Sequence, residues 1–137
     1  MNALLESKEL TKVYPLDKRS SVSVLKGVDL RIEPGEFVSV MGPSGSGKST
    51  LLYNVCGMDR MSSGSVRFNG RELAELSEKE LAQLRLKEMG FIFQQIHLLR
   101  NLNVFDNIIL SGYLANGRDR KSVDHRAGEL MELTGIA

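Results

Sequence analysis

The stretch MGPSGSGKST, Met41 to Thr50, restricts this chain more than any other. Gly42, Gly47, Lys48 and Ser49 fit the spacing G-x-x-x-x-G-K-[ST] position for position. Glycines carry no Cβ, so successive backbone N–H groups can turn inward and form a nest for an anion. The apolar run EFVSVM before it predicts a short strand of the kind buried on both faces in an α/β sheet. KSTLLYNVCG after it predicts a helix closed by Gly57, whose positive dipole end would face the same anion. A strand–loop–helix unit of this kind calls for an α/β fold and for a triphosphate. Lys48 supplies a mobile charge for the β- and γ-phosphates, and the Ser49 hydroxyl is placed to hold Mg²⁺. The candidate phosphate-binding residues are Gly42, Pro43, Ser44, Gly45, Ser46, Gly47, Lys48, Ser49 and Thr50.

The surrounding sequence sets the order of elements. LLESKELTKVY suits an N-terminal strand, YPLDKRSS a turn, and VDLRIE a half-buried strand alternating Val28, Leu30 and Ile32 with charge. EPGE, Glu33 to Glu36, turns the chain. GSVRFNG predicts another alternating strand, and SEKELAQLRLKEM a helix opened by the capping box Ser77 and Glu80. GFIFQ predicts a brief buried strand. NVFDNIILSGYLA and SVDHRAGELMELTG are apolar at helical spacings. The change from strand-rich to helical near Gln95 divides the chain into an incomplete nucleotide-binding core, 1–94, and the start of a helical subdomain, 95–137.

Charge and cysteine content narrow the partners. Eighteen basic against seventeen acidic residues leave a net charge of +1, which gives no basic field for nucleic acid. A single cysteine, Cys56, forms no internal disulfide, and the N-terminus lacks the basic and apolar regions of a signal peptide. No apolar run approaches the roughly 18 residues of a membrane span. The chain therefore reads as cytosolic, with any work at a membrane passing through an embedded partner.

No N-K-x-D segment specifies guanine, and some forty residues precede the loop, later than in small nucleoside kinases. LTKVYP, VLKGVDLRIEPGEFVSVMGPSGSGKSTLLYNVCGMDRMSSGSVRFNG and MGFIFQQIHLLRNLNVFDNI together resemble the N-terminal part of an ATP-binding cassette, the nucleotide-binding subunit of ABC transporters. FQQIHLLRNLNVFDNI most resembles the lipoprotein-releasing and macrolide- or peptide-exporting subgroup. The resemblance implies an α/β P-loop NTPase core with N-terminal antiparallel strands, the start of a helical subdomain, and no C-terminal part of the cassette. It implies ATP and Mg²⁺ as ligands, with Tyr14 stacked on adenine and Gln94 joining the Mg²⁺ or attacking-water shell beside Lys48. Gln95, its neighbour, is the alternative for that last role. It further implies a membrane-spanning permease touched through the glutamine loop, a homodimer of intact cassettes, and a place on the cytoplasmic face of the inner or plasma membrane.

Several residues are set aside. His97 and His125 lie too early for the family's switch histidine, Cys56 reads as a small core residue, and Asp106 as a first-turn charge behind the cap Asn103. Leu110-Ser111-Gly112 begins like the family's LSGGQ signature, but Tyr113 and Leu114 break it inside an expected helix. The apolar strand ending in Asp-Glu, the signature and the switch histidine are all absent from the 137 residues. Two readings stay open: the N-terminal portion of a transport ATPase, or a truncated module that holds ATP without hydrolysing it.

Overall fold

A computed structural model describes residues 3–95, 97–116 and 119–136. The chain forms two compact units, Met1–Ala82 and Gln83–Ala137. The first unit is built on a four-stranded antiparallel sheet in the order β2-β1-β3-β4. Its strands are β1 (Leu5–Pro15), β2 (Ser21–Ile32), β3 (Ser63–Phe68) and β4 (Arg71–Glu72). The alternation seen in the sequence has its physical cause here. Val28, Leu30 and Ile32 are half-buried while Asp29 and Arg31 are exposed. The turn between β1 and β2 closes on Asp17, whose carboxylate accepts from the backbone N–H groups of Arg19 and Ser20 at 2.7 and 2.8 Å.

Helix α1 (Lys48–Val55) lies against β1, β2 and β3. Leu10, Leu25, Val66 and Phe68 from the sheet, Val55 and Cys56 from the end of α1, and Leu73 and Leu81 are the buried apolar residues of this unit. Cys56 is the small buried residue expected, and Gly57 follows the helix with a φ of 67°. A two-residue strand, β4, and a 3-10 turn at Leu73–Glu75 join β3 to α2 (Glu78–Glu88). The capping box at α2 forms as expected: the Glu80 carboxylate accepts from the Ser77 N–H at 2.8 Å, and the Glu80 N–H donates to Ser77 Oγ at 3.3 Å.

Two expected strands do not form. Residues 37–41 are irregular and join no ladder, with Phe37 98% and Met41 86% exposed. Residues 90–94 are likewise irregular, and Ile92 is fully exposed. A strand is made by its neighbours as much as by its own residues, and an apolar run of this kind needs a paired strand on each side. Neither segment meets such a pair among the described residues. Phe91 and Phe93 stack on each other instead, with ring centroids 6.0 Å apart.

The second unit contains α3 (Val104–Asn116) and α4 (Arg120–Thr134), which pack together around Ile109, Val123 and Ala127. Asn103 caps α3, its Oδ1 accepting from the Asp106 N–H at 2.8 Å. Asp119 caps α4 in the same way through the Ser122 N–H at 3.2 Å. His125 is exposed beside Glu129, and His97 is exposed with its ring edge-on to Phe93 at 5.0 Å. Of the polar cluster around α4, Gly117 and Arg118 lie outside the described residues. Among the described residues no helix is long and apolar enough to cross a membrane.

A bulge in β1 makes one glycine of the first unit irreplaceable. The β1–β2 register shifts between Ser7 and Leu10, the β1–β3 register between Lys8 and Thr11, and Glu9 sits at a φ of 48°. The Glu9 N–H donates to Asp29 Oδ1 at 2.7 Å, and the Glu9 carbonyl faces Gly64 of β3. A Cβ on Gly64 would lie 2.3 Å from that carbonyl oxygen, and Gly64 has a φ of 92°. Gly64→Ala is expected to destabilise the chain by at least about 2 kcal/mol, since strain of this kind alone is worth roughly 1–3 kcal/mol. Urea denaturation measures it; a loss under about 0.5 kcal/mol would contradict the steric argument.

Candidate nucleotide-binding site

The loop is exposed from Met41 to Ser46 and leads through the half-buried Gly47 into the first turn of α1. Gly47 is the residue that lets it do so. It caps α1 in the left-handed region, φ 90° and ψ 8°, and a Cβ there would press on Val24 Cγ1 at 3.1 Å and on the Val24 carbonyl oxygen at 3.4 Å. No side chain caps this end of the helix, so its first N–H groups point into the loop without a side-chain partner. A turn closed by Ser46 N–H on the Pro43 carbonyl at 3.3 Å bends the loop back on itself. The cradle is shaped for absence of side chains: a Cβ on Gly42 would meet Ser46 Oγ at 2.6 Å.

Lys48 closes the loop over its own backbone. Its Nζ donates to the carbonyls of Gly42 at 2.9 Å and Pro43 at 2.7 Å, and touches Ser46 Oγ at 3.5 Å. These are exposed bonds between a mobile cation and neutral acceptors, and a phosphate oxygen competes for such a cation on better terms. Ser49 is exposed on the first turn, while Thr50 faces inward and is half-buried. Free helix N–H groups, a lysine at the mouth and a hydroxyl beside it form a donor set for a polyphosphate with a divalent cation.

Tyr14 lies near the end of β1 and belongs to the same unit. Its hydroxyl donates to Asp59 Oδ2 at 2.6 Å, just beyond the end of α1. That bond, burial and the Asp59 charge hold the phenol above its ordinary value, against a smaller opposite pull from Thr50 in the first turn. Lys12, two residues earlier and on the same face of β1, is buried. Its Nζ bonds Asp59 Oδ1 at 2.6 Å and the Arg60 carbonyl at 2.5 Å, and lies 4.8 Å from the Tyr14 ring centroid. Asp59 is fixed in turn by its own N–H on the Tyr53 carbonyl at 3.0 Å. Tyr14 is thus tied, through Asp59, to the segment that closes the loop-following helix. Gln94 and Gln95 are exposed residues of the second unit.

Lys12 and Asp59 were not visible as site residues in the sequence. The one signal for Lys12 is its phase: at i−2 from Tyr14 it must share that side of the strand. Asp59 had no signal beyond its position after the C-terminal glycine of α1.

An α/β unit built around a loop of this sequence and shape defines a class, the phosphate-loop (P-loop) fold. The family model described as ABC transporter matches residues 25–137, and the chain belongs to that family. It is 45% identical over 134 residues to the bacitracin export ATP-binding protein BceA of Halalkalibacterium halodurans, covering 98% of this chain and 52% of that protein. It is 42% identical to the lipoprotein-releasing system ATP-binding protein LolD of Roseobacter denitrificans, covering 99% of this chain and 60% of that one. A solved structure of the ATP-binding cassette MJ0796, dimeric in a post-hydrolysis state with ADP and Pi, superposes with a TM-score of 0.85 at 34% identity, over 93% of this chain and 56% of that chain. The chain spans about half the length of these relatives.

Asp59 gives the site a signature in acid. Burial pushes its carboxyl up, but the hydrogen bonds from Lys12 and Tyr14, the Lys12 charge and the Arg60 backbone together outweigh burial and lower it. A carboxylate whose value is lowered by folding adds stability that is complete above its unfolded value, near 4, and is lost as pH falls through the folded one. The stability difference between the wild type and Asp59→Asn is therefore expected to be flat from pH 7 to about pH 5 and to shrink below about pH 4. Urea denaturation across that range measures it, and a difference that grows on acidification would contradict the assignment.

Proposed function

We propose that this chain carries the ATP-gripping half of an ABC transporter ATP-binding subunit, of the kind that serves export or lipoprotein release. The observation that carries the reading is the Lys48 ammonium poised over a glycine cradle at the start of a helix whose closing segment also holds Tyr14 through Asp59. In this reading the loop N–H groups and Lys48 take the β- and γ-phosphates, and Tyr14 stacks on adenine. The Ser49 hydroxyl would hold Mg²⁺, which neutralises phosphate charge when bound. Gln94, with Gln95 as the alternative, would complete the metal and water shell and present the loop that touches a membrane-spanning permease. Residues 1–94 would serve the nucleotide and 95–137 the partner. Paired cassettes would work on the cytoplasmic face of the inner or plasma membrane. The names of the relatives, which speak of bacitracin export and lipoprotein release, support this assignment.

Lys48→Ala is expected to weaken ATP binding at least tenfold in calorimetric titration, because it removes the one charge-assisted contact of the loop. An unchanged dissociation constant would overturn the reading. Phosphate release by the same two proteins separates an ATPase from a module that binds ATP without turnover: release abolished by Lys48→Ala marks the ATPase.

A further inference from the structure

Tyr14 does not stand free at the end of its strand. Its hydroxyl is held by Asp59, its ring lies under the Lys12 ammonium, and both anchors are fixed to the segment that closes α1. A tyrosine side chain has two soft torsions, and these contacts restrict both. We propose that Lys12 and Asp59 are positioning residues for nucleotide recognition: they lock the Tyr14 ring at a set distance from the phosphate loop, so that base and phosphates are gripped in register. The proposal rests on the reading of Tyr14 as the base-stacking ring.

The physical content is preorganisation. A ring that is already ordered before binding loses little freedom when a purine stacks on it, and immobilising such a side chain otherwise weakens association by roughly three- to tenfold. Lys12 adds to this. It is a buried cation whose partners are the Asp59 carboxylate, the Arg60 carbonyl and the face of Tyr14, so it cannot leave the ring without losing its other bonds. The connection to the phosphate end runs through α1 itself. Asp59, which holds the Tyr14 hydroxyl, is bonded to the Tyr53 carbonyl of α1, and Lys48 and Gly47 begin the same helix. One short rigid element therefore sets the spacing between the cradle and the ring.

The test compares ATP with inorganic tripolyphosphate, which has the phosphates but no base, by calorimetric titration of the 137-residue chain. Tyr14→Phe keeps the ring and the Lys12–Asp59 pair and removes only the anchoring hydroxyl. It is expected to weaken ATP binding three- to tenfold and to leave tripolyphosphate unchanged, as is Asp59→Asn. Asp59→Glu, which restores the carboxylate, is expected to recover part of the loss. Tyr14→Ala separates the two readings. If it weakens ATP alone while Tyr14→Phe and Asp59→Asn leave ATP binding intact, Tyr14 stacks on the base but the positioning proposal is wrong. If Tyr14→Ala leaves ATP binding intact, the stacking role fails and the proposal with it. Should Asp59→Asn lose both ligands through unfolding, Tyr14→Phe decides alone: equal loss of ATP and tripolyphosphate, or no loss, overturns the proposal.

Discussion

The seating of α1 on the antiparallel sheet is the constraint on which the first unit depends. Where α1 starts, a Cβ on Gly47 would crowd Val24 of β2, and a φ of 90° favours a residue without one. The same residue opens the helix. A packing requirement and a binding requirement are therefore met by one glycine: the helix can lie down on β2 only if its first turn is left uncapped by a side chain. The free N–H groups that result are available to an anion.

Electrostatics at the two ends of α1 is arranged differently. At the start, Lys48 is held by exposed backbone carbonyls, neutral acceptors that release a cation readily when a phosphate arrives. At the end, Lys12 is buried against a carboxylate, and such a pair holds because removing one partner leaves a charge out of water. The first lysine is free to move and suits a ligand. The second is fixed and suits a scaffold. Their difference follows from burial and from the charge of the acceptor, not from residue type.

Features set within a few residues were legible in the sequence. The loop, the capping box at Ser77 and Glu80, the Asn103 cap and the Asp17 turn depend on local hydrogen bonds whose donors and acceptors lie within a turn of each other. The α/β class followed from the strand–loop–helix unit, individual strands from alternation, and their antiparallel pairing from the resemblance to the ABC cassette. What failed was non-local. Residues 37–41 and 90–94 have the composition of buried strands, yet pairing depends on what lies alongside, and no ladder reaches them among the described residues. Asp59 and Lys12 were missed for a related reason. They meet across 47 positions of sequence, and nothing in either neighbourhood announces the other. The bulge at Glu9 belongs here too, because it becomes visible only through the β3 glycine pressed against it.

The second unit shows why spelling alone does not make an anion site. Leu110-Ser111-Gly112 has a glycine beside a serine, as the loop at Ser46 and Gly47 has. Gly112 is held inside α3, where the backbone N–H is spent on the helix ladder. Its missing Cβ serves packing: one added there would lie 2.7 Å from Val123 Cγ1, so the glycine lets α4 come close to α3. The adjacent Tyr113 fixes the same contact, its hydroxyl donating to Asp124 at 2.5 Å with Arg120 over the ring. A glycine at a helix start exposes N–H groups to a ligand; a glycine in mid-helix admits another helix. Position within the element decides between them: Gly47 opens α1 with a helix start that can face an anion, and Gly112 has none to offer.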